Sequence, residues 1–290
     1  MPQGYAITIG LNSVDSAHYD GWDGKLNAAE KDATDIQTLA KSVGFTTEII
    51  KGNNATRESV AAAINNAAAN LSTGDIFLLY YSGHGGQLPD LDGDEDDSLD
   101  ETWCLFNGQL MDDDIRQFWT SFKEDVRVFI LSDSCHSGTV AKMLREVELN
   151  LRGISPVAKD LTECLPKEGI KAMPHSVALN TYMNNQDFYD KYIAKVDKAK
   201  KTFKKGIEAA IKANIRLISG CQDNQSSYDG TFNSAFTEKL KTVWNGGKFK
   251  GEYSKFHTEI QNLLPPYQSP NHLIFGKQNL IYNQQIPFTI

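Results

Sequence analysis

The chain has 290 residues and a net charge of −8. That length can bury the core of an α/β domain. The acidic balance excludes the usual basic nucleic-acid binder and suits cationic partners or substrates. No apolar run approaches the roughly 20 residues of a membrane helix. The first residues lack the basic-then-apolar pattern of a secretory leader. The four cysteines, Cys104, Cys135, Cys164 and Cys221, include no Cys-x-x-Cys pair. The expectation is a cytoplasmic protein with free thiols and no membrane contact.

Residues 5–11 read as a first strand, and a polar loop over 18–24 follows it. Asn27, with Glu30 three positions on, has the form of a capping box. Ala29, Ala33, Ile36, Ala40 and Val43 form a helical stripe that Gly44 ends. Residues 45–50 alternate as a second strand, and 56–71 form a second amphipathic helix with Val60, Ile64, Ala67 and Leu71 on one face. An apolar run, Ile76 to Leu79, leads into Tyr81-Ser82-Gly83-His84-Gly85. The order β-α-β-α-β predicts a parallel sheet with helices on its faces.

Residues 88–100 are acidic and irregular. Residues 102–106 and 109–111 suit a short hairpin, and 113–122 a short helix. A second apolar run, Arg127 to Leu131, then delivers Asp133-Ser134-Cys135-His136-Ser137-Gly138. A helix is expected from there to Leu149. Residues 151–186 read as loop. Residues 187–213 read as one long helix with Phe188, Tyr192, Val196, Ala199, Phe203, Ile207 and Ile211 on one side. Its many lysines read as a solvated face, or as a segment open to tryptic-type cleavage. A buried strand at 215–221, helices near 232–244 and 253–264, and a last strand at 272–275 complete the chain. The whole reads as a single domain, 1–290, in three parts: 1–150, an inserted 151–212, and 213–290.

If the strands ending at His84 and Cys135 are parallel neighbours, an imidazole and a thiol emerge at one sheet edge, where open α/β sheets place their chemistry. A thiol becomes nucleophilic when a base or cation lowers its pKa, and histidine is the usual partner. The backbone N–H groups of Gly85 and Cys135 can face a carbonyl oxygen, as an oxyanion hole requires. Each residue also has a plainer reading. A lone cysteine is more often a buried hydrophobe. His136 competes as a base, although strand neighbours point to opposite faces. Zinc binding by His84, Cys135 and His136 lacks any ligand spacing. His18, His175, His257 and His272 have no glycine-rich setting and read as structural or solvated.

Taken together, Tyr81-Ser82-Gly83-His84-Gly85 and Asp133-Ser134-Cys135-His136-Ser137-Gly138 resemble the caspase-like cysteine peptidases, and within them the metacaspases and orthocaspases. The Cys-His-Ser-Gly form differs from the Gln-Ala-Cys-x-Gly of true caspases. The segments 26–33, 96–102, 110–114 and 219–226 match further family motifs. The likeness covers roughly 5–150 and, more weakly, 213–245, whereas 151–212 matches nothing. It implies a caspase-type three-layer sandwich, with helices on both faces of a mostly parallel central sheet of about six strands. It implies peptide-bond hydrolysis with His84 as general base and acid, Cys135 as nucleophile, and Gly85 and Cys135 as oxyanion hole. It also implies protein or peptide substrates with Arg or Lys before the cut, bound by Asp32 and Asp133 with Ser82 and Ala29 beside them. Two carboxylates at a sheet edge could hold a guanidinium in bidentate fashion. The plainer readings are a helix-dipole residue for Asp32 and a loop anchor for Asp133. The alternative function is a catalytically silent caspase-like binding module. Self-processing after Lys or Arg, and a monomer, are further implications of the likeness.

Many metacaspases bind calcium through four aspartates. Asp100, Asp112 and Asp113 match three of them, and Lys142 stands at the fourth. A lysine cannot ligate a cation and repels it. Calcium is therefore a candidate ligand of these carboxylates, with a solvated acidic loop as the plainer reading, and no cofactor is expected to be required.

Overall fold

The structure, a computed structural model, describes residues 1–89, 99–134, 169–203, 206–221 and 227–290. The nucleophile candidate Cys135, Lys142, the helix expected after Gly138 and the loop over 151–168 lie outside the described residues.

Apolar runs make the central sheet. Its strands are β1 (Gly4–Gly10), β2 (Thr46–Lys51), β3 (Ile76–Ser82), β7 (Arg127–Asp133), β8 (Asn214–Ser219) and β9 (Asn271–Gly276), in the order β2-β1-β3-β7-β8-β9. The first five run parallel, and β9 closes the sheet antiparallel to β8. β3 and β7 are buried at every position, as parallel strands covered on both faces must be. Ile7, Phe77, Leu79, Val128 and Ile130 face one layer, which contains α2 (Arg57–Asn70) and α3 (Asp112–Trp119). Ala6, Leu78, Tyr80, Phe129 and Leu131 face the other, which contains α1 (Ala29–Ser42), α6 (Ala235–Trp244) and α7 (Tyr253–Leu263). The result is the three-layer α/β sandwich that the resemblance implied. The chain ends with a one-turn helix, α8 (Leu280–Asn283).

Three local expectations are corrected. The capping box at Asn27 does not form: Ala28 is the N-cap and has no side-chain cap. The orphan donors of α1 are met from elsewhere in the fold. Asp229 accepts from the Asn27 and Ala28 N–H groups at 2.6 and 3.0 Å, and Asn12 Oδ1 accepts from the Glu30 N–H at 3.1 Å. The loop read over 151–186 contains a helix in its described part, α4 (His175–Asn184). The long helix read over 187–213 is α5 (Gln186–Lys200) and stops there, because the chain turns at Thr202 and Gly206 to reach β8. Its buried side is Tyr189, Tyr192, Ile193 and Val196, and Phe188 lies outside.

A small antiparallel sheet follows the strand end that carries His84: β4 (Gly85–Pro89), β5 (Leu99–Leu105) and β6 (Gly108–Met111). The hairpin of β5 and β6 follows the pattern of the sequence. β4 has little strand propensity, with Gly85, Gly86 and Pro89, and forms because β5 offers it a partner. Leu88 and Met111 from this sheet pack with the buried side of α5.

Candidate active site

His84 follows β3 directly, through a turn at Gly83. A Cβ at Gly83 would lie 2.5 Å from the Tyr81 hydroxyl. That space lets Tyr81 fold beneath the turn and donate to the carbonyls of His84 and Cys104, at 2.7 and 3.1 Å, while its ring stacks on Trp103. The His84 backbone is thereby fixed from below.

The His84 ring is fixed from the polar loop over 18–24. Nε2 lies 3.0 Å from the Gly24 carbonyl, which can only accept, so this contact places the proton on Nε2. Nδ1 is buried and has no hydrogen-bond partner among the described residues. Trp22 meets the ring edge-to-face at 4.7 Å. Gly24 has φ +56°, and a Cβ there would lie 3.2 Å from the imidazole. Burial pushes the His84 pKa down to about 4, with the Gly24 carbonyl opposing the shift and the charge of Lys171 adding to it. The ring is therefore neutral at neutral pH.

β7 lies beside β3 in register Ser82 to Asp133, so the strand leading to Cys135 is the parallel neighbour of the strand leading to His84. Asp133 and Asp32 face each other across the end of the sheet, and both are fully buried. Asp133 accepts from Ser227 Oγ at 2.6 Å, from Thr237 Oγ1 at 2.8 Å and from the Ser234 hydroxyl. Asp32 accepts from Ser82 Oγ at 3.1 Å, from Asn233 Nδ2 at 2.8 Å and from the Ser234 N–H at 3.1 Å. All of these donors except Ser82 come from the stretch Ser227 to Thr237. Small polar residues ahead of a helix carry no signal that they converge on a carboxylate.

The largest departure from the sequence reading is Lys171. Its ammonium enters the space between the two carboxylates with no solvent exposure. It lies 3.2 Å from Asp133 Oδ2 and 3.5 Å from Asp32 Oδ2, and donates to Ser82 Oγ at 2.8 Å. Burial alone would lower the lysine pKa, yet Asp133 and Asp32 together raise it, so the ammonium stays charged. Burial raises the pKa of Asp32, and Lys171 opposes that shift.

The backbone around Lys171 is paired as a strand. The Asp229 N–H donates to the Gly169 carbonyl at 2.6 Å, and the Lys171 N–H to the Ser227 carbonyl at 3.0 Å. On the other side, the Gly85 N–H donates to the Lys171 carbonyl at 3.0 Å, and the Met173 N–H to the Gly85 carbonyl at 2.7 Å. Of the remaining predicted residues, Ala29 is buried in the first turn of α1, one turn ahead of Asp32, and makes no polar contact with the lysine.

The three candidate calcium carboxylates lie among the described residues. Asp113 pairs with Lys200 of α5 at 2.5 Å, and Arg116 bridges to Asp112 at 3.0 Å. Asp100 is buried on β5. Among the described residues, no group of three or more His, Cys, Asp or Glu side chains could hold a metal ion. Cys104 and Cys221 are buried thiols, and no helix of the described residues is long and apolar enough to cross a membrane.

Comparison with known proteins agrees with this geometry. The family model described as the caspase domain matches residues 3–288. Metacaspase-1 of Coccidioides immitis is 27% identical over 271 residues, covering 82% of this chain and 56% of that protein. Metacaspase-1 of Schizosaccharomyces pombe is 28% identical over 207 residues, covering 64% of this chain and 44% of that protein. The chain thus spans about half the length of these two curated relatives. A crystal structure of protein GSU0716 from Geobacter sulfurreducens superposes with a TM-score of 0.84 at 46% identity, covering 99% of both chains. With the family model spanning nearly its whole length, the chain belongs to the caspase-domain family, as a metacaspase-like member of the clan.

Proposed function

We propose that the protein is a cysteine endopeptidase that cuts after Arg or Lys. His84 acts as general base and acid, Cys135 as nucleophile, and the N–H groups of Gly85 and Cys135 stabilise the tetrahedral oxyanion. Asp32 and Asp133 select the cationic side chain, with Ser82 between them.

The single observation that carries the specificity is the Lys171 ammonium between Asp32 and Asp133, a cation held where a substrate cation would sit. The pocket is prepared for charge. Hydroxyl and amide donors already hold both carboxylates, so little reorganisation is needed when a guanidinium or ammonium enters. The chemistry draws on Nδ1 of His84. A neutral imidazole with its proton on Nε2 can take the thiol proton at Nδ1 and return it to the departing amine. Metacaspase names among the relatives support the same reading.

The test is release of a fluorophore from an Arg-terminated peptide, compared with an Asp-terminated one, under reducing conditions. The expected result is turnover of the Arg peptide alone, lost in Cys135→Ala and in His84→Gln. Turnover of neither peptide would favour a binding module instead.

A further inference from the structure

We propose that the cleft holds a second specificity subsite beyond the scissile bond: a dry apolar pocket that takes an unbranched apolar side chain, such as methionine, two positions after the Arg or Lys of a substrate. The proposal rests on the reading above, because the Asp32–Asp133 pocket and the Gly85 N–H set the register of the peptide.

A segment of the chain itself lies across the cleft and shows that register. Lys171 puts its ammonium between Asp32 and Asp133, and its carbonyl accepts from the Gly85 N–H at 3.0 Å. Two residues on, the Met173 N–H donates to the Gly85 carbonyl at 2.7 Å. Gly85 thus grips an extended peptide at two positions whose side chains face the same side. The exposures alternate accordingly. Lys171 and Met173 are 0% and 1% exposed, whereas Ile170 and Ala172 are half-buried. A substrate whose cation enters the carboxylate pocket, and whose carbonyl meets the Gly85 N–H, places the residue two positions on where Met173 lies.

That place is a built pocket. Met173 packs with the buried side chains of Val14, Tyr19 and Cys104, and Trp22 adds a partly buried wall. Gly86 forms part of the lining. A Cβ there would lie 2.7 Å from Met173 Cε and 2.9 Å from Cys104 Sγ, so the terminal methyl group fits because this position has no side chain. Two of the walls are fixed without the methionine. The Tyr19 hydroxyl donates to the Leu105 carbonyl at 2.7 Å, and the Val14 N–H to the Asp23 carbonyl at 2.9 Å.

The chemistry of the pocket selects against charge. Burial pushes the Cys104 thiol up, so it stays protonated and acts as an apolar wall. The atom nearest the Gly86 Cβ position is an acceptor, Gln109 Oε1, already engaged by the Thr102 hydroxyl at 2.6 Å. An acidic side chain entering here loses its water and meets another oxygen.

The test uses internally quenched peptides that differ only two positions after the Arg, with Met, Ala or Asp there, cut by wild-type protein under reducing conditions. The expected kcat/KM is at least about tenfold higher for Met than for Ala, and lower again for Asp. Equal values overturn the proposal. An Arg–fluorophore conjugate has no residue beyond the cut and reports the peptidase reading alone. Its turnover, with equal rates on the three peptides, sinks the subsite and leaves that reading standing. Gly86→Ala should bring the Met-to-Ala ratio toward one, and Val14→Phe, which narrows the pocket from another wall, should do the same. A ratio measured within one preparation does not depend on the fraction folded, so unchanged ratios overturn the proposal. If neither the conjugate nor any peptide is cut, the peptidase reading fails, and calorimetry on the Cys135→Ala protein with the same peptides decides the subsite. Tighter binding of the Met peptide by about tenfold supports it, and equal affinity overturns it.

Discussion

Two clusters among the described residues bring a lysine to neighbouring aspartates, and they differ in how the acids are held. At the sheet edge, Lys171, Asp32 and Asp133 are all fully buried, and five other side chains hold the carboxylates. At the start of α3, Lys200 retains 15% exposure, and Asp112, 25% exposed, pairs with an Arg116 that is 42% exposed. Buried charge is tolerated only where it is paired and hydrogen-bonded, so the first group is a built receptor. In the second, Asp113 is itself buried, but its partner Lys200 and the Asp112–Arg116 pair reach solvent, and the residues hold a helix start. A pair of acids beside a lysine does not define a site. The donors behind the acids do.

The first way to sharpen this contrast is to remove an acid from the buried group. Asp133→Ala leaves Lys171 with half its counter-charge in a dry site and should cost roughly 3–5 kcal/mol in denaturant unfolding, with loss of Arg-peptide hydrolysis. A loss no greater than that of a surface substitution would break the distinction between the two places.

The next effect is on pH dependence. His84 has its pKa lowered from 6.5 to about 4 in the folded protein. Between those values the unfolded chain binds the extra proton, so stability rises with pH through this window and falls on acidification. The contribution is up to about 3 kcal/mol. Comparing unfolding at pH 7 with that near pH 4.5, His84→Gln should flatten the slope. An unchanged slope would locate the acid sensitivity elsewhere, with two half-buried imidazoles as candidates: His272, also lowered to about 4 by burial and by Arg216 and His257, and His18, lowered by burial.

A smaller effect is expected at the loop that orients the ring. Gly24→Ala forces a Cβ onto a residue with φ +56°, 3.0 Å from Trp22. The cost should be about 1–2 kcal/mol, and hydrolysis should fall more than stability, because Nε2 loses its aligned acceptor. The smallest effect belongs to the second lysine. Lys200→Ala should change stability by roughly 1 kcal/mol or less. Since the chain's own cations engage Asp112 and Asp113, wild-type hydrolysis should be the same in chelator and in millimolar calcium. A strong calcium requirement would mean that α5 yields these carboxylates to the ion.

What could be read in advance follows the range of the forces involved. β3 and β7 were legible because a strand buried on both faces must be apolar at every position. The edge carrying His84 was legible for the same reason. α1 was legible as a stripe, but its cap was not, since Asp229 arrives from the far end of the chain in place of Asn27. The stripe of α5 was misplaced by one residue at its start, Tyr189 being buried where Phe188 was expected, because the helix begins at Gln186 and packs on Leu88 and Met111. Lys171 was invisible for a deeper reason. Nothing in Ile170-Lys171-Ala172-Met173 distinguishes it from the other lysines of the insertion. Only the fold brings it to two acids and a glycine N–H.

The position of Lys171 in the chain has a further result. Strands β1, β3 and β7 precede the Lys171–Ala172 bond, whereas β8 and β9 follow it, and β7 pairs with β8 along its length. A protein cut there keeps its sheet and runs as one particle under native conditions, separating only in denaturant. Its unfolding then releases two polypeptides. The melting point of the cut form should rise with protein concentration, while that of the intact chain should not.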